Sequence, residues 1–183
     1  MPTTVADKLT GIDFESKTAQ EVLAWGLKEF GQRIALASSF GAEDVVLIDL
    51  LAKIDANARI FVLDTGRLHQ ETYDVMDACR KKYGIRLEVY SPDAAKIEAM
   101  AKAKGMNLFY ESIENRKECC GLRKVEGLNR ALATCDAWVT GLRRDQNVTR
   151  TTVSKAEVDK AHGGVLKLNP IADWTSKRVW EHI

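Results

Sequence analysis

Two cysteines stand side by side in this chain, in the stretch Lys117-Glu118-Cys119-Cys120-Gly121-Leu122-Arg123-Lys124. A helix is expected from Lys117 to Leu132, because Leu122, Val125, Leu128 and Leu132 recur on one face. Both thiols then fall in its first turn, where the helix dipole favours thiolates. Arg123 and Lys124 follow Cys119 and Cys120 by one helical turn and add positive charge at the same end. Thiolates are what iron or zinc takes from a protein. The plainer alternative is a pair of small buried residues. A disulfide between sequence neighbours is strained and is set aside. Cys79 and Cys135 lie among apolar neighbours and read as packing residues. His69, His162 and His182 show no metal-ligand spacing.

Three polar, glycine-containing segments offer a different chemistry. In Ser38-Ser39-Phe40-Gly41-Ala42-Glu43-Asp44, two hydroxyls and a glycine separate a short apolar run from a helical pattern. That order points backbone N–H groups and a helix dipole at an anion, usually phosphate. An ordinary strand-to-helix turn would look the same. It is neither a Walker loop nor a dinucleotide fingerprint, since both need glycines that are absent here. Gly141-Leu142-Arg143-Arg144-Asp145-Gln146 places two guanidiniums straight after an apolar run, and arginine can hold phosphate or sulfate bidentately. A solvated basic turn is the alternative. Asp64-Thr65-Gly66-Arg67 is the third segment.

These segments need a frame that brings them together. Thr18-x-x-Glu21 is a capping box that opens a helix closed by Gly31. Strands are expected at 34–37, 59–63, 85–90, 137–140 and 165–168. Helices are expected at about 42–54, 69–83, from Ser91-Pro92 to about 104, 117–132, and from Asp173 onward. The alternation argues for an α/β fold with a parallel sheet covered by helices on both faces. Ligands of such sheets bind beyond the carboxyl ends of the strands, where all three loops fall. The polar stretch 147–164 lacks periodicity and reads as a loop, either covering a substrate or simply solvated.

The 183 residues suit one domain, 1–183. The final helical pattern reaches Ile183 without a stop signal, and the expectation is that the natural chain continues. Lys and Arg total 27 against 26 Asp and Glu, so net charge offers nothing to a nucleic acid and anion sites must come from local clustering. No apolar run approaches the ~20 residues that span a bilayer, and the first residues do not resemble a signal peptide. A cytoplasmic protein is expected.

Taken in order, the four motifs at Ser38–Asp44, Leu63–Arg67, Cys119–Lys124 and Gly141–Gln146 resemble the adenylyl-sulfate / phosphoadenylyl-sulfate reductase family. The resemblance runs from about residue 20 to the end. It implies an adenine-nucleotide α-hydrolase-like (PP-loop type) fold in which Ser38, Ser39, Phe40 and Gly41 belong to a modified phosphate loop. It implies that Asp64, Thr65, Gly66 and Arg67 border the nucleoside. Lys124, Arg143, Arg144 and Arg150 would then face the phosphosulfate, with Arg123 and Gly141 beside them. In family members with adjacent cysteines, that pair and a later Cys-x-x-Cys hold a 4Fe–4S cluster, which makes Cys119 and Cys120 two of four ligands. Such members generally use adenylyl sulfate rather than its 3′-phosphorylated form.

The family's nucleophile is a cysteine in a Glu-Cys-Gly-Leu-His segment, which yields an enzyme S-sulfonate that thioredoxin or glutaredoxin releases as sulfite. Neither that segment nor the Cys-x-x-Cys occurs among the 183 residues, so no catalytic residue is assigned and Lys124 is read as a supporting cation. A homo-oligomer is expected, with no nucleic-acid or membrane partner. Two other readings stand beside reduction of adenylyl sulfate: a phosphoadenylyl-sulfate reductase, and a non-catalytic sulfonucleotide-binding module. An ATP-using adenylyl transferase of the same fold fits less well, because Ser38 to Asp44 lacks the Ser-Gly-Gly-x-Asp-Ser form of those enzymes.

Overall fold

The computed structural model describes residues 7–183. The capping box is formed: Thr18 Oγ1 accepts from the Glu21 N–H at 3.2 Å, and Glu21 returns a carboxylate oxygen to the Thr18 N–H at 2.7 Å. Such a cap stabilises a helix start by about 1 kcal/mol. It opens α1 (Ala19–Phe30). There follow β1 (Ile34–Ser38), α2 (Ala42–Ile54), β2 (Arg59–Leu63), α3 (Gln70–Tyr83) and β3 (Leu87–Tyr90). Gly84 stops α3 in the left-handed conformation that glycine adopts without penalty.

The strands form one six-stranded sheet in the order β3-β2-β1-β4-β6-β5, where β4 is Ala137–Val139, β5 Ala156–Asp159 and β6 Val165–Leu168. All neighbours are parallel except β5, which runs antiparallel to β6 at the edge. The expected parallel sheet is present with one antiparallel strand added at its edge, and that strand lies inside the 147–164 segment read as a loop. β5 carries Ala-Glu-Val-Asp and is half-buried along most of its length; its pairing with β6 makes it a strand, not its own pattern.

The side chains of the inner strands alternate between two cores. Ile34, Leu36, Ile60, Val62, Val139, Leu166 and Leu168 join the cluster built with α1, α2, α3 and α7 (Ser176–His182). Ala35, Phe61 and Trp138 point the other way, towards Ala131, Leu132 and Cys135 at the end of α6 (Glu126–Leu132). Both faces are covered, but unequally. A third, smaller cluster of Met100, Leu108 and Cys119 lies outside both sheet cores, between α4 (Ala94–Lys104) and α5 (Ile113–Cys120).

The helix expected from Lys117 begins four residues earlier, at Ile113, with the Ser112 hydroxyl accepting from the Asn115 N–H at 3.0 Å. It runs through one wide π turn (Gly121–Val125) directly into α6. Cys119 and Cys120 therefore close α5 and do not occupy a first turn, so the positive end of a helix dipole does not favour their thiolates as expected. The sequence Ile-Glu-Asn-Arg-Lys-Glu has no apolar period, which hid the true start. Likewise α7 starts at Ser176 behind a Thr175 cap rather than at Asp173. No helix among the described residues is long and apolar enough to cross a membrane.

Candidate functional site

β1 sends the chain to β2 on one side, while β4 lies on the other, so the carboxyl end of β1 is the sheet's switch point. A cavity of about 360 Å³ opens there. Its wall includes Ser38 and Ser39 from the first loop, Thr65 from the second, and Lys124 from the π turn. Phe61, Leu63 and Leu68 make one apolar side, and Trp138, Thr140 and Lys167 the other. A larger open groove of about 760 Å³ lies between α3 and β3, but it holds none of the candidate residues.

The first loop turns sharply. Phe40 is buried with φ at 60°, the one non-glycine residue at positive φ among those described. Such strain costs about 1–3 kcal/mol and persists where surrounding contacts impose it. Those contacts are visible. Ser38 Oγ accepts from the Phe40 N–H at 3.1 Å, and Asp44 Oδ2 accepts from the Ser39 N–H and hydroxyl at 2.6 and 2.7 Å. Gly41 caps α2 with extended backbone. Asp44 is buried, and burial raises its carboxyl above the usual range despite the Ser39 hydrogen bonds.

The third loop is bound to the first. Arg143 is 5% exposed; its Nε and Nη2 donate to Glu43 Oε1 at 3.1 and 2.7 Å, and its Nη1 donates to the Trp174 carbonyl at 3.2 Å. Burial alone would raise the Glu43 carboxyl, but hydrogen bonds from Arg143 and Gln146 outweigh it and hold it low. Removing Glu43 would strand the buried Arg143 charge, at up to about 3–5 kcal/mol, whereas Glu43 is itself partly open to water. Arg144 donates from Nε to the Val153 carbonyl at 2.8 Å and pairs with Glu15. Arg150 donates to Gln146 Oε1. In this structure Arg143 and Arg144 hold the loop, and the cations lining the cavity are Lys124 and Lys167.

In the second loop, Asp64 Oδ1 accepts from the Gly66 N–H and the Tyr73 hydroxyl, both at 2.9 Å. Gly66 has φ at 68°, which only glycine takes cheaply. Arg67 turns away, donating to the Met106 carbonyl at 3.1 Å and Asn107 Oδ1 at 3.0 Å, with its guanidinium over Phe109. It ties this loop to the α4–α5 lobe.

Arg123 is 6% exposed and spends one donor, Nη1, on the Thr65 carbonyl at 2.8 Å. Its Nε and Nη2, and Trp138 Nε1, are buried side-chain nitrogens without a protein partner among the described residues. An unmet buried donor costs about 1–3 kcal/mol; Trp138 lines the cavity, and Arg123 reaches its wall only through the Thr65 carbonyl. Lys167 and Trp138 were missed in the sequence. A lysine between Leu166 and Leu168 in a central strand was the available signal.

Residues 33–183 match the family model described as phosphoadenosine phosphosulfate reductase domain. The chain belongs to that family. It is 44% identical over 160 residues to the adenosine 5′-phosphosulfate reductase of Burkholderia cepacia, covering 86% of this chain and 64% of that one. The chain thus spans less than two thirds of that curated relative's length. Among solved structures it resembles phosphoadenylyl-sulfate reductase from Candida auris in a phosphate complex, with a TM-score of 0.79 at 27% identity over 92% of this chain and 79% of that one. FMN adenylyltransferase of Candida glabrata has a TM-score of 0.58 at 16% identity, over 97% of this chain and 60% of that one, and shares the fold.

The two adjacent cysteines differ in their surroundings. Cys119 is buried in the small cluster with Met100 and Leu108, whereas Cys120 is exposed. Cys79 sits in the main core, where burial raises its thiol, and Cys135 Sγ points at the Ala131 carbonyl at 3.6 Å. No group of three or more potential metal ligands comes together among the described residues. Cys119 and Cys120 have the chemistry of two thiolate ligands, while Cys79 and Cys135 lie in the cores against the sheet.

Proposed function

We propose that these residues form the sulfonucleotide-binding part of an adenylyl-sulfate reductase of sulfate assimilation. The observation that carries the reading is the cavity at the switch point, where Ser38, Ser39, Thr65 and Lys124 meet beside Trp138, whose indole N–H has no protein partner among the described residues. Its apolar side, Phe61, Leu63 and Leu68, suits a planar base, and Lys124 suits the phosphosulfate.

In the reaction so proposed, a cysteine thiolate attacks the sulfur of adenylyl sulfate. The bond from sulfur to the bridging oxygen breaks, AMP leaves with that electron pair, and an S-sulfonate remains on the enzyme. A thiolate of thioredoxin or glutaredoxin then attacks the cysteine sulfur. Sulfite departs, and the second reductant thiol closes the disulfide. Lys124 neutralises oxygens that gain charge as AMP leaves. The 183 residues contain no Glu-Cys-Gly-Leu-His segment, so by themselves they bind nucleotide and release no sulfite. Cys119 and Cys120 would hold a 4Fe–4S cluster together with two further thiolates, and the cluster would supply a compact iron–sulfide charge centre. The setting is the cytoplasm, in a homo-oligomer.

Calorimetric titration of the chain with adenylyl sulfate, AMP and phosphoadenylyl sulfate tests the reading. Adenylyl sulfate should bind, and Lys124→Ala should weaken it by about 10- to 100-fold, the weight of a charge-assisted hydrogen bond. No binding of any of the three would end the proposal. Tighter binding of the 3′-phosphorylated form would favour phosphoadenylyl-sulfate reduction, which the likeness to the Candida auris enzyme supports. Sulfite release by this chain with thioredoxin, lost in Cys120→Ser, would overturn the division of labour.

A further inference from the structure

Strand β1 is large on one face and small on the other. Ile34 and Leu36 point into the main core, whereas Ala35 and Ala37 lie on the face of the cavity. Central strands buried on both faces are normally filled with Val, Ile and Leu, so two alanines in the middle of the sheet need a reason. Ala35 has one in the fold: it is 2% exposed and packs in the cluster with Ala131 and Leu132 of α6. Ala37, one pleat nearer the carboxyl end, is partly open and borders the cavity of about 360 Å³. The register sets large neighbours beside this small pair. Ala37 is opposite Phe61 on β2, and Ala35 is opposite Trp138 on β4. Both rings line the cavity. The backbones that carry them are two strand spacings apart, about 10 Å. A trough floored by Ala37 therefore runs between an aromatic side chain on each side, with Leu128 and Lys124 also on its wall.

We infer that Ala37 determines which bases the cavity admits. A methyl floor leaves depth between Phe61 and Trp138 for a fused two-ring base standing edge-on, with apolar surface on either side of it. An isopropyl or isobutyl group at 37 fills that depth and leaves room for a single ring. The residue acts by size alone, since a methyl offers a ligand neither charge nor hydrogen bond. The inference rests on the proposed function, because the base it concerns is that of the sulfonucleotide. An alanine needed only by the fold predicts something else: enlarging it would overpack the sheet and lower stability, as is expected at Ala35. Filling an open cavity with apolar carbon does the opposite, and Val suits a strand better than Ala.

The test measures the urea midpoint, and Kd for AMP and CMP by calorimetry, on the unmodified chain, Ala37→Val, Ala37→Leu and Ala35→Val. Ala37→Val should weaken AMP about tenfold and Ala37→Leu about a hundredfold, the range of an overpacked contact in the bound state. CMP, with one ring, should weaken by no more than about threefold, so the preference for the purine shrinks. The urea midpoint should hold or rise in both Ala37 variants and fall in Ala35→Val. Unchanged AMP affinity in Ala37→Leu would overturn the inference, as would equal losses of AMP and CMP. So would a midpoint that falls in both Ala37 variants, which would make Ala37 a residue of the fold alone. If Ala37→Leu does not fold, Ala37→Val decides; if neither folds, the inference fails. Where CMP binds neither parent nor variant, AMP affinity and the midpoint decide together. An unmodified chain that binds neither AMP nor adenylyl sulfate would instead sink the nucleotide cavity itself, and the inference with it.

Discussion

Asp44 Oδ1 lies 2.6 Å from the point where a Cβ on Gly141 would stand, and the Glu43 Cβ lies 2.9 Å from it. The first and third loops touch so closely that only a glycine fits between strand β4 and the start of α2. Gly141→Ala should therefore cost about 1–3 kcal/mol, the usual penalty for overpacking, and should weaken nucleotide binding as the loops part. Urea unfolding and calorimetry on the same variant check both halves. A variant as stable as the parent would mean that the Asp44 carboxylate moves aside freely.

Asp44 also gives the chain a pH signature. Burial raises its carboxyl above the ordinary value of 3.8, so the folded state favours the protonated form. The associated stability is fully present below 3.8 and is lost as pH rises through the folded-state value. Asp44→Asn should be free of that loss, so its stability relative to the parent should grow as pH is raised from about 4 toward neutrality. Unfolding free energies of the two chains across that range decide the matter; a difference that stays constant with pH refutes it.

The two neighbouring cysteines should behave differently in the chain without metal. Cys120 is exposed, whereas Cys79, Cys119 and Cys135 are buried. A thiol reagent should find one fast-reacting group per native chain and all four cysteines after unfolding in urea. Cys120→Ser should remove the fast phase. A second fast group would show that Cys119 is not sealed by Met100 and Leu108.

Arg67 fastens the α4–α5 lobe to the rest of the molecule through Met106, Asn107 and the Phe109 ring. Arg67→Ala should raise amide exchange from Leu108 to Cys120 by about 10-fold, the loss of roughly 1–2 kcal/mol of local stability. Exchange in β1 and β2 should not change. Equal acceleration in those strands would show that the lobe and the sheet open as one unit.

Much of the frame was legible because its signals are local. The bounds of α2, β2 and β6 follow from apolar runs between polar or glycine-bearing turns, and α1 from its capping box. β5 was not legible, since Ala156 to Asp159 owes its strand state to hydrogen bonds with β6. The start of α5 was hidden in a polar stretch with a serine cap. At the site, Ser38, Ser39 and Thr65 could be read from loop position, and Lys124 from the family resemblance. The partners of Arg143 and Arg144 could not, for Glu43 and Glu15 are 100 and 129 residues away in sequence. An arginine pair on a loop looks the same whether it waits for an anion or has already found a carboxylate.

The unequal covering of the sheet has a consequence of its own. One face has α1, α2, α3 and α7 against it, while over Phe61 and Trp138 the other has little beyond α6 and an open cavity. The interior on that side is unfinished, and a flat aromatic guest lodged against Phe61 and Leu63 would become a piece of the core. Occupancy and folding are then coupled through the same surface. The melting temperature should climb with the logarithm of ligand concentration once that exceeds Kd, by an amount fixed by RT ln(1 + [ligand]/Kd). A nucleotide analogue that lacks the ring should leave it where it was.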